Sequence, residues 1–366
     1  MTPIYLDYAA TTPVDPAVVH AMLPYLTQKF GNAASTHVYG KEALAAIEIA
    51  REQVASRIAA EPSEIIWTSG ATEANNLALK GAARLYQRRG KHIITMQTEH
   101  KSVLDTCHYL EKSGFDVTYL PPKANGLLDF NTFLAALRPD TILVSIMHVN
   151  NETGVIQDLA AIAQETAARQ ILLHVDAAQS IGKVALSVRT LPIDLVSLCA
   201  HKVYGPKGIG ALYIRKKPRV RVEPLLHGGG HEQGMRSGTL PTHQCVGMGA
   251  AFALAELTDH DRIQALSERF LPCHPRAGGD PSVPHILNMQ FTGIAADTLL
   301  SQLPNIAASI ASACEAARGT TSHVLRAMGL SEEAIRSAVR FSFGRFTTAA
   351  EVETVAHAIS RIVRRE

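Results

Sequence analysis

The sequence predicts an α/β protein built on a mostly parallel sheet, and three observations predict it. Short strand-like apolar segments alternate with alanine-rich helical stretches along the chain. Two of those segments, 141–147 and 171–175, are apolar almost without interruption, as strands covered on both faces are. The 366 residues, 46% hydrophobic and 19% charged, suffice for one large domain and a smaller one.

In chain order the strand candidates are 65–68, 92–96, 116–120, 141–147, 171–175, 194–198 and 211–214. Helical stretches such as 41–57 and 159–169 lie between them. From Gly249 the pattern is helical as far as Leu271, where Pro272 stops it. The segment 272–284 carries four prolines and two adjacent glycines and reads as a surface loop. Beyond it, 286–291, 306–310 and 339–343 read as strands of the smaller domain, closed by a helix from Ala349. The expected division is an N-terminal segment 1–15 packed on the small domain, a large domain 16–250 and a small domain 251–366.

A net charge of +2 gives no electrostatic case for nucleic acid or a membrane as partner, and the basic end Arg361-Ile-Val-Arg-Arg365 reads as a solvated helix end. No cationic leader precedes an apolar segment, and no apolar run approaches the roughly 20 residues needed to cross a bilayer. The five cysteines (107, 199, 245, 273, 314) are odd in number and scattered, which fits reduced thiols in a cytoplasmic setting.

The chemistry gathers around Cys199-Ala-His-Lys202-Val-Tyr-Gly-Pro-Lys-Gly208, between two strand candidates. A lysine at the mouth of a buried strand is desolvated, which frees its amine as a nucleophile suited to a Schiff base with an aldehyde cofactor. An isolated His-Lys pair would read as a surface loop. Other strand ends are also polar. Ser69-Gly-Ala71-Thr72-Glu-Ala-Asn-Asn76 follows a strand and opens a helix, where backbone N–H groups and the dipole favour an anion such as phosphate; the same residues also suit an N-cap. Asp176 follows a strand as a helix cap, an ion-pair member or a carboxylate facing a pyridinium nitrogen. His100 could stack on a flat cofactor, and Asn151 adds an amide. Such strand ends converge where open α/β sheets bind ligands. No phosphate-loop or dinucleotide glycine motif is present. His227 and His231 lie four apart on a glycine loop rather than a helix, so no metal is expected.

Together these motifs resemble the cysteine desulfurases, pyridoxal-phosphate enzymes that supply sulfur for iron–sulfur cluster assembly. The resemblance extends over Tyr5-Leu-Asp-Tyr-Ala-Ala-Thr-Thr-Pro13, Thr68-Ser-Gly-Ala-Thr-Glu73, Thr98-Glu-His-Lys101, Met147-His-Val-Asn-Asn-Glu152, His174-Val-Asp176, His201–Gly208, Gly228-Gly-Gly-His231, Met235–Pro241 and Arg340–Thr348. It implies the aspartate-aminotransferase fold (pyridoxal-phosphate fold type I) with a seven-stranded sheet, and a cytoplasmic homodimer. It implies that Lys202 carries the cofactor and abstracts the Cα proton, that Asp176 pairs with the ring nitrogen, that Gln179 meets the ring hydroxyl, and that His100 stacks and assists proton traffic. Ala71, Thr72 and His201 would hold the phosphate, as would Thr239 reaching in from a second subunit, and Cys199 and Ala200 would also be cofactor-binding positions. Asn32, Asn151 and Arg340 would face the substrate carboxylate or the cofactor edge. Cys314 would take the sulfur of L-cysteine as a persulfide and pass it to an acceptor protein.

Five features depart from the family pattern, one of them the segment 315–321 just after Cys314, whose sequence differs from the common form. Cys199 stands where a serine is usual, and a thiol is a weak donor. Ala311 replaces a glycine ahead of Cys314, which stiffens that approach. The 272–284 region is shorter than usual by about three helical turns. The end at Glu366 predicts no long tail for docking to a cluster scaffold. Two rivals stay open: a selenocysteine lyase or another lyase of the same cofactor class and fold, and, on account of the altered 272–284 segment and the stiffened approach to Cys314, a paralogue that binds partners or cofactor without turnover.

Overall fold

The computed structural model describes residues 3–255, 259–272, 274–310 and 321–364. After the short strand β1 (Ile4–Tyr5) come β2 (Ile65–Thr68), β3 (His92–Met96), β4 (Asp116–Leu120), β5 (Thr141–Met147), β6 (Leu172–Asp176), β7 (Leu195–Cys199) and β8 (Gly210–Ile214). Strands β2 to β8 form one seven-stranded sheet in the order β2-β8-β7-β6-β5-β3-β4, in which β8 alone runs against its neighbours. The period of two along a strand divides the core between the two faces. Val144 and Ile146 of β5 join one apolar cluster with Trp67, Val175 and Leu198, while Leu143 joins a second with Ile66, Ile93 and Leu195. The helix Ala71–Tyr86 covers the second face through Ala74, Leu77 and Ala78. Helices Val38–Arg57 and Thr242–Ala253 lie over the first.

The remaining strands, β9 (Arg276–Ala277), β10 (Ile286–Gln290), β11 (Ile306–Ala307) and β12 (Ala338–Ser342), form a smaller unit. β12, β10 and β9 make an antiparallel sheet, and β1 pairs in parallel with β11. Its core holds Leu6, Phe270, Phe291, Phe341 and Phe343. The Phe270 ring meets those of Phe341 and Phe343 edge-on at 4.9 and 5.4 Å.

Three expectations need correction. The proline-rich 272–284 segment is not all loop: Arg276 and Ala277 pair with Met289 and Asn288, because backbone groups beside β10 need partners. The helical pattern 249–271 resolves into the helix Thr242–Ala253, closed at Leu254, and a second helix His260–Arg269. The strand expected over 306–310 stops at Ala307; Ser309 makes a single bridge to Arg340.

One buried ion pair ties the helix Val38–Arg57 to a distant turn. Arg51 Nη1 and Nη2 donate to Glu232 at 2.8 and 2.9 Å, and Glu232 Oε2 also accepts from the Trp67 backbone N–H at 2.8 Å. Glu232→Ala would leave the buried guanidinium with only the half-exposed Glu48 as ion partner, at 3.2 Å, and the Trp67 N–H unpaired. It should lower the unfolding free energy by about 3–5 kcal/mol, read from the denaturant midpoint.

Candidate active site

Because β8 alone is reversed, β2, β3, β5, β6 and β7 all end on one side of the sheet, and the polar residues that follow them surround one cavity of about 550 Å3. From β2 come Gly70, Ala71 and Thr72, from β3 His100, from β5 Asn151, from β6 Asp176 and Gln179, and from β7 His201 and Lys202. Arg340 reaches the same cavity from β12.

Each group is held for a local reason. Gly70 is the N-cap of Ala71–Tyr86 at φ +155°, a conformation that side chains rarely adopt, and it leaves the helix mouth open toward the cavity. Gly210 of β8 passes so close that a Cβ there would sit 2.6 Å from Gly70 Cα. Asp176 is the last residue of β6 rather than just beyond it. Its Oδ1 accepts from Ala178 N at 3.0 Å and its Oδ2 from Asn75 Nδ2 at 2.8 Å. Asn75 Nδ2 also donates to Ser102 Oγ at 2.8 Å. His100 caps the helix Lys101–Lys112, its Nδ1 accepting from Ser102 N at 3.1 Å. A backbone N–H can only donate, so a neutral His100 carries its proton on Nε2. Burial, then the charge of Lys202, pushes His100 below its usual pKa. The same causes in the same order bring His201 down to about 4. The ammonium of Lys202 has no hydrogen-bond partner among the described residues. Arg340 is 1% exposed, with Nη1 donating to Asn151 O at 2.8 Å and Nη2 to Asp7 Oδ1 at 2.7 Å, while Nε has no partner among the described residues.

Four of the expected site residues do not line this cavity within one chain. Asn32 accepts from Ala34 N at 3.0 Å and borders a separate cavity with Arg51 and Glu232, because its carboxamide is used to turn its own loop. Thr239 is exposed. Cys199 and Ala200 are buried behind the wall; the Cys199 thiol is 3.9 Å from Ala178 O, and burial raises its pKa. Cys314, Ala311 and Cys273 lie outside the described residues. Sequence reasoning gave no role to Asn75 or Ser102, which link Asp176 to His100. The signal was present: Asn75 is a polar residue on the apolar face of its helix, where a buried amide must find partners.

The aminotransferase class-V family matches residues 4–355. The chain belongs to this family. Cysteine desulfurase IscS of Vibrio vulnificus is 55% identical over 364 residues, covering 96% of this chain and 90% of that protein. A solved structure described as a NifS-like protein has a TM-score of 0.93 at 36% identity over the whole of both chains. Another, SspA in complex with cysteine, has a TM-score of 0.84 at 42% identity, covering 94% of this chain and all of that one. The fold is pyridoxal-phosphate fold type I, and the cofactor of the family is pyridoxal 5′-phosphate. The cavity fits that cofactor chemically. An open helix N-terminus suits its phosphate, a carboxylate with two neutral donors suits a protonated ring nitrogen, and an unpartnered amine suits its aldehyde.

The strand that places Asp176 also carries a histidine that must stay neutral. His174 is fully buried between Ser145 Oγ (2.8 Å) and Ser197 Oγ (2.9 Å), and burial brings its pKa down to about 4. Burial does the same to His148. The unfolded chain, with ordinary histidines near 6.5, binds more protons than the folded one between about pH 6.5 and 4. Stability should therefore fall as pH falls through that window, by about 1.4 kcal/mol per pH unit for each histidine. Denaturant midpoints measured from pH 7 to 4.5 check the sign.

Proposed function

We propose that the protein is a pyridoxal-phosphate-dependent cysteine desulfurase that converts L-cysteine to L-alanine and leaves the sulfur as a persulfide on Cys314. The observation that carries this reading is the meeting of Lys202, Asp176, His100 and Arg340 around one cavity. The names of the cysteine desulfurase relative and the cysteine-bound structural neighbour support the choice of substrate. Bound through Lys202, the cofactor supplies an electron sink that lets the substrate's Cα proton leave. Ala71, Thr72 and His201 hold its phosphate, and Cys199 and Ala200 support the turn that carries His201 and Lys202. Asp176 keeps the ring nitrogen protonated, Gln179 donates to the ring oxygen, and His100 lies against the ring. Lys202 Nζ takes the Cα proton, and His100 Nε2 moves a proton beside it. Arg340, with Asn151 at its side, binds the substrate carboxylate. The Cys314 thiolate attacks the substrate sulfur and forms an S–S bond, while the Cβ–S bond breaks with its electron pair left on the carbon side, and Cβ takes a proton to become the methyl group of alanine.

The persulfide passes to an acceptor protein of a sulfur-transfer pathway, iron–sulfur cluster assembly among them. The cytoplasm is the proposed compartment; no helix among the described residues is long and apolar enough to cross a membrane. We divide the chain functionally into a segment 1–15, a cofactor-binding domain 16–250 and a domain 251–366 that carries Cys314.

A second copy completes the enzyme. Leu23, Leu26, Phe30, Val38, Tyr39 and Ile49 are all exposed large apolar side chains in one stretch, and Phe30 is 68% exposed. Such clustering marks an interface, and a second copy would cover it while bringing Thr239 toward the partner's phosphate site. Sedimentation should give twice the chain mass, and Phe30→Asp should shift it toward the monomer.

The main test is alanine release from L-cysteine with reductant present. The parent should turn over, Cys314→Ser should fall to background, and His100→Ala should be slower by about 10²–10⁴-fold. An inactive parent that still shows the absorbance of bound cofactor would overturn the reading.

A further inference from the structure

One interior lysine takes no part in the chemistry above. Lys183 is 9% exposed and follows Asp176 and Gln179 in the turn after β6. Its Nζ donates to Gln179 Oε1 at 2.8 Å, while Gln179 Nε2 donates to Ala9 O at 2.8 Å. Gln179 and Ala9 line the cavity that holds Lys202. Lys183 lies behind them, on a second, smaller cavity that Lys202 also borders.

A carboxamide can be flipped end for end with little change of shape, and the two settings differ in which end donates. Both neighbours of Gln179 select the same setting. An ammonium offers only protons, and the Ala9 carbonyl offers only lone pairs. The oxygen end is thereby fixed on Lys183 at the rear, and the NH₂ end lies on the cavity side with one proton still to give.

We propose that Lys183 is a positioning residue: by holding the oxygen of Gln179, it keeps the Nε2 donor directed at the ring oxygen of the bound cofactor. This inference rests on the proposed placement of Gln179 against that oxygen. Without Lys183, the buried Gln179 oxygen loses its partner and the amide is fixed from one side only.

The setting of Lys183 makes its hold depend on pH. Burial, then the charge of Lys202, lowers its pKa to about 7, with Cys199 opposing. Around the small cavity it also meets His285, Tyr8 and Tyr204, and the Asp259–Arg345 pair. Well below pH 7 the ammonium grips Gln179; as pH rises through about 7 the charge is progressively lost and the grip weakens.

The test is a spectrophotometric pH titration of the cofactor-loaded protein. A donor at the ring oxygen favours its anionic form, so losing that donor raises the pH midpoint of the visible band. Lys183→Met and Gln179→Ala should each raise the midpoint by about 0.5–1 unit, and the double variant should rise no further than either. Lys183→Arg keeps a donor and should hold the parent midpoint, which also serves if Lys183→Met does not fold. An unmoved midpoint in Lys183→Met, a shift in Lys183→Arg as large as that in Gln179→Ala, or additive shifts in the double variant would overturn the proposal while leaving the function standing. An unmoved midpoint in Gln179→Ala would overturn the placement of Gln179 and the proposal with it.

Discussion

Asp176 is a carboxylate with 4% exposure at the end of a central strand, and keeping it there constrains everything around it. A charge so placed is tolerated only when hydrogen-bonded. Its two oxygens each receive one neutral donor, from Ala178 N and Asn75 Nδ2. No cation among the described residues is spent on it, so its charge remains for a ligand. Asn75 must be buried on the helix Ala71–Tyr86 to reach it, which fixes how that helix lies on the sheet and hence where its N-terminus opens. The same Asn75 amide holds Ser102, which sets the ring of His100. One buried acid thus aligns the pyridinium site, the phosphate site and the stacking imidazole.

The N-terminal residues join this arrangement to the smaller unit. Ile4 and Tyr5 pair with Ile306 and Ala307, and Leu6 enters the phenylalanine core. Asp7 then accepts from Arg340 Nη2 at 2.7 Å and from Ser309 Oγ at 3.0 Å. Ala9 accepts from Gln179, and Thr12 N donates to His201 O at 2.8 Å. Within nine residues the chain therefore touches the arginine of one unit and the lysine turn of the other. Relative movement of the units would strain these contacts first.

Much of the site was legible because open parallel sheets place polar residues at strand ends, and five such ends carry polar residues straight after apolar runs. Lys202, Asp176, His100 and Gln179 could be read that way. Asn75, Ser102 and Lys183 could not, because their importance depends on partners far off in sequence; Lys183 and Ala9 meet only through Gln179. The pairing of Arg276 and Ala277 with β10 was hidden for another reason. A two-residue strand has no periodicity to read, and the prolines around it mimic a loop. Asn32 borders a different cavity within one chain, and a motif carries no information about which way a loop faces.

Net charge was the least informative number, and the site shows why. The whole chain carries +2, yet Lys202, Lys207 and Arg340 border one cavity together. His100 and His201 add no charge near neutral pH, since burial holds both below their usual range. Glu99, fully buried nearby, is pushed well above the usual carboxylate range by burial, and it does not line the cavity. Glu73 at the rim is matched by Arg236 at 2.9 Å, and Asp7 by Arg340. Among the described residues that line the cavity, the charges without an opposite partner are the Lys202 and Lys207 ammoniums and the single carboxylate of Asp176, beside the open helix end. That balance favours a ligand with an anionic end beside the helix and a cationic ring nitrogen beside Asp176, a polarity that follows from local pairing rather than from the total.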